Sequence, residues 1–147
     1  MELMAEIIGK LQNNNYIYDE SVDSAITQAL LLVLDDLMTK GDDINAAMIC
    51  SVDGVPWASK IDDDFDQNRF AAMSGALLAL SDNIADEAKK GETHNVLIEG
   101  ANGNIFVLHA ATNLLLTVFT MGNSNLGISL AFARQATETI TALIENS

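Results

Sequence analysis

Four aspartates crowd the short stretch Asp62–Asp63–Asp64–Phe65–Asp66, and carboxylate oxygens are ligands that calcium prefers. An EF-hand loop beginning at Asp62 would need glycine at its sixth position and glutamate at its twelfth. Those positions hold Gln67 and Met73. We therefore interpret the run as the solvated start of a helix, where acidic side chains complement the positive end of the helix dipole.

The other candidates for metal or nucleophilic chemistry lack the partners that such chemistry requires. The two histidines, His94 and His109, have no metal-ligand spacing to each other or to the lone cysteine, Cys50. No serine lies in a Gly-x-Ser-x-Gly context, and the segment Gly100–Ala101–Asn102–Gly103 lacks the lysine of a phosphate-binding loop. The sequence predicts no catalytic residue, no metal and no cofactor.

Two side chains are candidates for contact with a partner protein. Arg69 and Arg134 are the only arginines, and an exposed arginine can stabilise negative charge in the active site of a partner protein. Arg69, at the start of a predicted helix, is the better candidate, with a plain surface charge as the alternative. Trp57 could anchor a partner or pack on the end of the sheet.

The charge of the chain restricts the classes of partner. The 147 residues include 21 Asp and Glu against seven Lys and Arg, a net charge of −14. So acidic a chain repels phosphate backbones and anionic lipid, which argues against nucleic acid and the membrane surface and for a cationic protein patch. No apolar run reaches membrane-spanning length and no basic signal peptide is present. Together with the single cysteine, these features predict a cytoplasmic protein.

Hydrophobic periodicity and turn signals predict one domain over residues 21–147, preceded by a helical arm over residues 1–20. Asp53–Gly54 is the signal of a type I′ hairpin. The predicted fold is an α/β (α+β) three-layer sandwich, with a five-stranded antiparallel sheet, two helices on one face and one on the other. The predicted order is a helix over Val22–Met38, strands over Ile44–Val52 and Val55–Ser59, a central helix over Phe70–Ala88, strands over Asn95–Glu99, Asn104–Ala110 and Leu114–Met121, and a last helix capped by Asn123 or Ser124. The Ile44 and Leu114 strands are expected at the centre, and the Val55 and Asn95 strands at the edges.

The central helix carries two apolar stripes. Large side chains form one stripe: Phe70, Met73, Leu77, Leu80 and Ile84. Small residues form the other: Ala71, Ala72, Gly75, Ala76 and Ala79. We expect the large stripe to cover the sheet and the small stripe, beside an unprotected edge strand over Asn95–Glu99, to meet a second copy of the chain.

A family resemblance rests on three segments: CSVDGVPWAS, the small-residue helix ending in SDNIADEA, and VLIEGANGNIFVLHAATNLLLTVFTMGNSNLGISLAFARQA. Together they resemble the roadblock / dynein light-chain family, and within it the bacterial MglB-type members most. The resemblance covers roughly Asp23–Ile144. It is distributed patterning with glycines at both hairpins, and it contains no short catalytic signature.

The resemblance implies the same sandwich fold and a dimer joined through the second helix and the third strand. It also implies a non-enzymatic platform for a Ras-like small GTPase, whose hydrolysis MglB-type dimers raise. The GTPase contacts stay unassigned, and an adaptor subunit without effect on a GTPase, or a small-molecule sensor, remain alternatives. The residues assigned to the dimer interface are Ala72, Gly75, Ala76, Ala79, Asn83, Asn95, Leu97 and Glu99.

Overall fold

The computed structural model describes residues 19–62 and 64–146, with side chains from residue 24 onward. The predicted arm over residues 1–20 lies outside this range except for its last two residues, which open the first helix. The elements are α1 (Asp19–Lys40), β1 (Ile44–Ser51), β2 (Pro56–Lys60), α2 (Gln67–Glu87), β3 (Asn95–Gly100), β4 (Gly103–Ala110), β5 (Leu114–Met121) and α3 (Leu126–Glu145).

The five strands form one antiparallel sheet in the order β2-β1-β5-β4-β3. This order confirms the prediction that the Ile44 and Leu114 strands are central and the other two named strands lie at the edges. The continuous apolar sequence of β5 follows from its central position, since Leu114 through Val118 are all buried.

Residues alternate along the strands between two separate cores, one on each face of the sheet. The fold is therefore a three-layer sandwich, as predicted. Along β1, Ala47 and Ile49 face α1 and α3, in a core that includes Leu30, Leu34 and Ile140. Met48 and Cys50 face α2, in a second and smaller core. The other buried residues of this core are Ala71, Leu78, Val107 and Leu115.

Two local predictions are wrong. A type I′ turn needs positive φ at both central positions, but in the described chain only Gly54 of the pair has it, at 89°. The Gly54 amide instead donates to the Ser51 carbonyl at 2.9 Å and closes a longer turn, next to a register shift between β1 and β2. The last helix is capped by Asn125, whose Oδ1 accepts from the Ile128 amide at 3.1 Å, because Asn123 takes up the left-handed conformation before it.

Candidate interaction surface on the central helix and the edge strand

The helix α2 packs on the sheet through its small residues. Asp66 caps its start, accepting from the Arg69 amide at 3.1 Å. Its buried face consists of Ala71, Ser74, Gly75 and Leu78. A Cβ atom at Gly75 would lie 2.8 Å from the Val52 carbonyl oxygen, so only glycine permits this close an approach. The buried Ser74 hydroxyl accepts from Thr117 at 3.2 Å.

This packing confirms part of the predicted role of the large stripe, since Phe70 and Leu77 pack against the second core, and corrects the rest. Gly75, assigned to the partner surface, is buried against its own chain. Met73, Leu80 and Ile84, expected in the core, are 56%, 57% and 60% exposed. The reason is that α2 comes so close to the Val52 carbonyl that Gly75 has no room for a side chain, so the helix approaches with its small face. The remaining assigned helix residues are exposed as expected: Ala72, Ala76, Ala79 and Asn83.

The exposed large side chains lie on the side of α2 that faces β4 and β3. The opposite flank of α2 packs against the β1–β2 turn. Gly54 in that turn comes so close to the helix that a Cβ atom on it would lie 2.9 Å from the Ala72 Cα. Residues 73, 77, 80 and 84 recur at steps of three and four on the other flank. The large stripe, rather than the small one, is therefore the neighbour of the edge strand.

The edge strand β3 divides its side chains between the two faces of the sheet. Val96 pairs with Val107 and Ile98 pairs with Ile105, so both lie on the α2 face. Ile98 is 42% exposed. Leu97 pairs with Phe106, which belongs to the core under α1 and α3.

The three residues of β3 assigned to the dimer interface lie on the face away from α2, and their part in a dimer stays a prediction. Asn95, Leu97 and Glu99 share the α3 face of the strand, as the hydrogen bond from Arg134 Nη2 to Asn95 Oδ1 at 3.2 Å confirms for the first of them. On the α2 face the neighbours of the helix are Val96 and Ile98. The sequence reasoning missed this because it did not apply the two-residue alternation of a strand to the edge. Among the described residues β3 pairs only with β4, so its outer backbone edge has no described partner.

We call the exposed apolar area formed by these elements the α2–β3 surface. Its members are Met73, Leu80, Ile84 and Ile98. By contrast, the described parts of α1 and α3 expose a single large apolar side chain, Ile128. Such a concentration on one side of a small domain is typical of a protein–protein contact.

Both candidate partner contacts are exposed on the α2 side of the sheet. Trp57 is exposed and faces the α2 side of β2, since the adjacent Ala58 is buried on the other side. The side chain of Arg69 is exposed and makes no ion pair with any residue in 24–62 or 64–146. Arg134, in contrast, is engaged by Asn95 near the opposite face.

The cysteine and the two histidines lie in different environments. Burial raises the pKa of the Cys50 thiol to about 11, so at neutral pH it is a protonated core side chain and not a nucleophile. His109 lies 3.3 Å from the carboxylate of Asp82 and His94 is exposed. Within the described ranges, no three His, Cys, Asp or Glu side chains form a metal-binding group, and no helix is long and apolar enough to cross a membrane.

Comparison with known structures shows that this chain shares its fold with MglB proteins. MglB of Myxococcus xanthus superimposes with a TM-score of 0.77 at 17% identity, over 89% of this chain and 95% of that one. A structure of MglB with a tetrameric arrangement gives a TM-score of 0.74 at 16% identity, over 83% and 92% of the two chains.

Comparison of sequences identifies the family. The uncharacterized protein MJ1340 of Methanocaldococcus jannaschii is 27% identical over 106 residues, which cover 72% of this chain and 92% of that protein. Residues 30–120, well over half of the chain, match the Roadblock/LC7 domain. With its fold and its sequence in agreement, this chain belongs to the Roadblock/LC7 family.

Proposed function

We propose that this protein is a non-enzymatic homodimeric regulator or scaffold of a Ras-like small GTPase, acting in the cytoplasm. The observation that carries the proposal is the α2–β3 surface, an exposed apolar area in a member of the Roadblock/LC7 family. The similarity to MglB in fold supports the choice of a GTPase as partner. No bound cofactor and no contact with nucleic acid or membrane is part of the proposal.

The first partner in this account is a second copy of the chain. An edge strand with a free backbone can pair with its own copy and continue the sheet, and a two-fold axis then brings α2 against α2. The side chains that such a dimer would bury are Met73, Leu80, Ile84 and Ile98. The tetrameric arrangement of a similar MglB structure supports self-association as a property of this fold.

The GTPase would then meet the dimer. A net charge of −14 favours a basic patch on that partner and speeds their encounter at low salt. Arg69 is the candidate for supplying positive charge to the GTPase site, because it is exposed and has no described ion-pair partner.

Stimulated GTP hydrolysis tests this proposal. If Arg69 acts as an arginine finger, Arg69→Ala lowers the stimulated rate by a factor on the order of 10³ or more. Arg134→Ala is the matched control, since it removes the other arginine from a site near the opposite face. An Arg69→Ala rate equal to wild type would exclude the finger. If the wild-type protein binds a GTPase but does not stimulate its GTP hydrolysis, the scaffold role is supported and the regulator role is excluded.

A further inference from the structure

The hairpin that joins β3 to β4 decides which backbone groups of β3 point outward. Gly100 pairs with Gly103 across a two-residue turn, and the residues that close such a turn exchange both backbone hydrogen bonds with each other. Because the direction of the backbone groups alternates along a strand, the even-numbered residues of β3 direct their N–H and C=O groups toward β4. The odd-numbered residues, Asn95, Leu97 and Glu99, direct theirs outward.

Symmetry restricts how this edge can pair with its own copy. A two-fold axis that brings α2 against α2 keeps each face of the sheet on its own side. Adjacent residues of β3 lie on opposite faces, so one residue must lie on the axis, opposite itself. With Leu97 on the axis, Asn95 of one copy opposes Glu99 of the other, and every outward group of these three residues is paired. An axis at Val96 or Ile98 leaves one of the three unpaired.

The register centred on Leu97 brings opposite charges together. Arg134 Nη2 donates to Asn95 Oδ1 at 3.2 Å, and Glu99 of the second copy would lie opposite that asparagine, with a Cβ separation of about 5 Å. Within one chain, Glu99 lies about 13 Å along the strand from Asn95. Among the residues with described side chains, neither Glu99 nor Arg134 makes an ion pair. A pair between them therefore requires the dimer.

We propose that the α3 face of β3 is the second half of the self-association interface, with Leu97 on the two-fold axis and Arg134 of each copy paired with Glu99 of the other. Leu97, 40% exposed in the monomer, then packs on its own copy. The two ion pairs offset part of the repulsion between chains that each carry a net charge of −14, and they fix the register of the strands. The proposal rests on the self-association proposed above.

Oxidative cross-linking of single-cysteine variants tests the register, at protein concentrations where sedimentation shows a dimer. Leu97→Cys places two thiols on the axis, where the Cα atoms of a hydrogen-bonded pair lie about 5.5 Å apart, within the range of a disulfide. Glu99→Cys is the matched control, an exposed position on the same face whose copy lies four residues away along the paired strand. Native Cys50 is buried and stays out of the reaction. We expect a disulfide-linked dimer for Leu97→Cys and none for Glu99→Cys.

Charge reversal tests the ion pair. Dimer dissociation constants would be measured at low ionic strength for wild type, Glu99→Arg, Arg134→Glu and the double variant. Each single reversal should weaken the dimer about fivefold or more, because a dimer contains two exposed pairs and each contributes a factor of up to about five. The double variant should return to within about twofold of wild type. Glu145→Arg, at the exposed end of α3, controls for net charge and should not weaken the dimer.

The outcomes separate the register from the self-association on which it rests. A wild type that stays monomeric would refute both. A dimeric wild type whose Leu97→Cys variant links no faster than Glu99→Cys would overturn the register alone. A double variant as weak as the single variants would overturn the ion pair. A loss of a few fold is overcome by raising the protein concentration, so Arg134→Ala still serves as the control for stimulated hydrolysis.

Discussion

Replacement of Ile84 by serine is the most direct perturbation of the α2–β3 surface. Ile84 is 60% exposed in the monomer, so its removal leaves the two cores untouched. Full burial of an isoleucine is worth about 1.5–3 kcal/mol, and burial of the exposed part is worth about 1–2 kcal/mol. A two-fold dimer contains the residue twice, which gives a loss of about 2–4 kcal/mol, or a dimer dissociation constant weakened roughly 30- to 700-fold.

The chain contains a matched control for this change. Ile128 on α3 is the same residue type, 54% exposed, and lies on the opposite side of the sheet. Isoleucine and serine have similar helix propensities, so neither substitution should unfold its helix. In sedimentation or light scattering across concentrations, Ile84→Ser should be largely monomeric where wild type and Ile128→Ser are dimeric. Equal weakening by both variants, or by neither, would refute the placement of the interface.

Two further predictions concern the fold itself. Gly75→Leu should lower the free energy of unfolding, measured by urea denaturation, by roughly 1–3 kcal/mol, because a side chain there meets the Val52 carbonyl. Ala76→Leu, at an exposed neighbouring position, should leave the free energy of unfolding unchanged. Equal stability of the two variants would contradict the inward placement of Gly75. Cys50 has a pKa of about 11 in the folded chain against 9.0 as its ordinary value, so the folded state holds its proton where the unfolded state loses it. The stability contributed by the neutral thiol is therefore complete below pH 9 and falls between pH 9 and 11, by at most about 1.4 kcal/mol per pH unit. Cys50→Ala should lack this part of the slope, and rapid alkylation of the native thiol at pH 7.5 would contradict its burial.

Most of the fold follows from patterns local in sequence. Apolar runs, turn signals and the long apolar stripes predict every described element, and β5 has the predicted bounds. Short connections then force antiparallel neighbours, and the apolar character of β5 places it at the centre of the sheet. Each of these inferences needs only residues close together in the chain.

The candidate surface was harder to predict because it depends on how two elements share space. Both stripes of α2 are apolar, so periodicity alone does not decide which one covers the sheet. The answer comes from the Val52 carbonyl, which leaves no room for a side chain at Gly75. The contact between Asp82 and His109, separated by 27 positions, likewise has no local signal.

The central claim is that the dimer engages a Ras-like small GTPase, and nucleotide-dependent capture tests it most directly. Tagged wild type and Ile84→Ser would be incubated with lysate from the source organism loaded with GDP or with a non-hydrolysable GTP analogue, and bound proteins would be identified by mass spectrometry. The account predicts that wild type retains a protein with a phosphate-binding loop in one nucleotide state more than in the other, and that Ile84→Ser retains less of it. Recovery of no such GTPase in either state would contradict the claim.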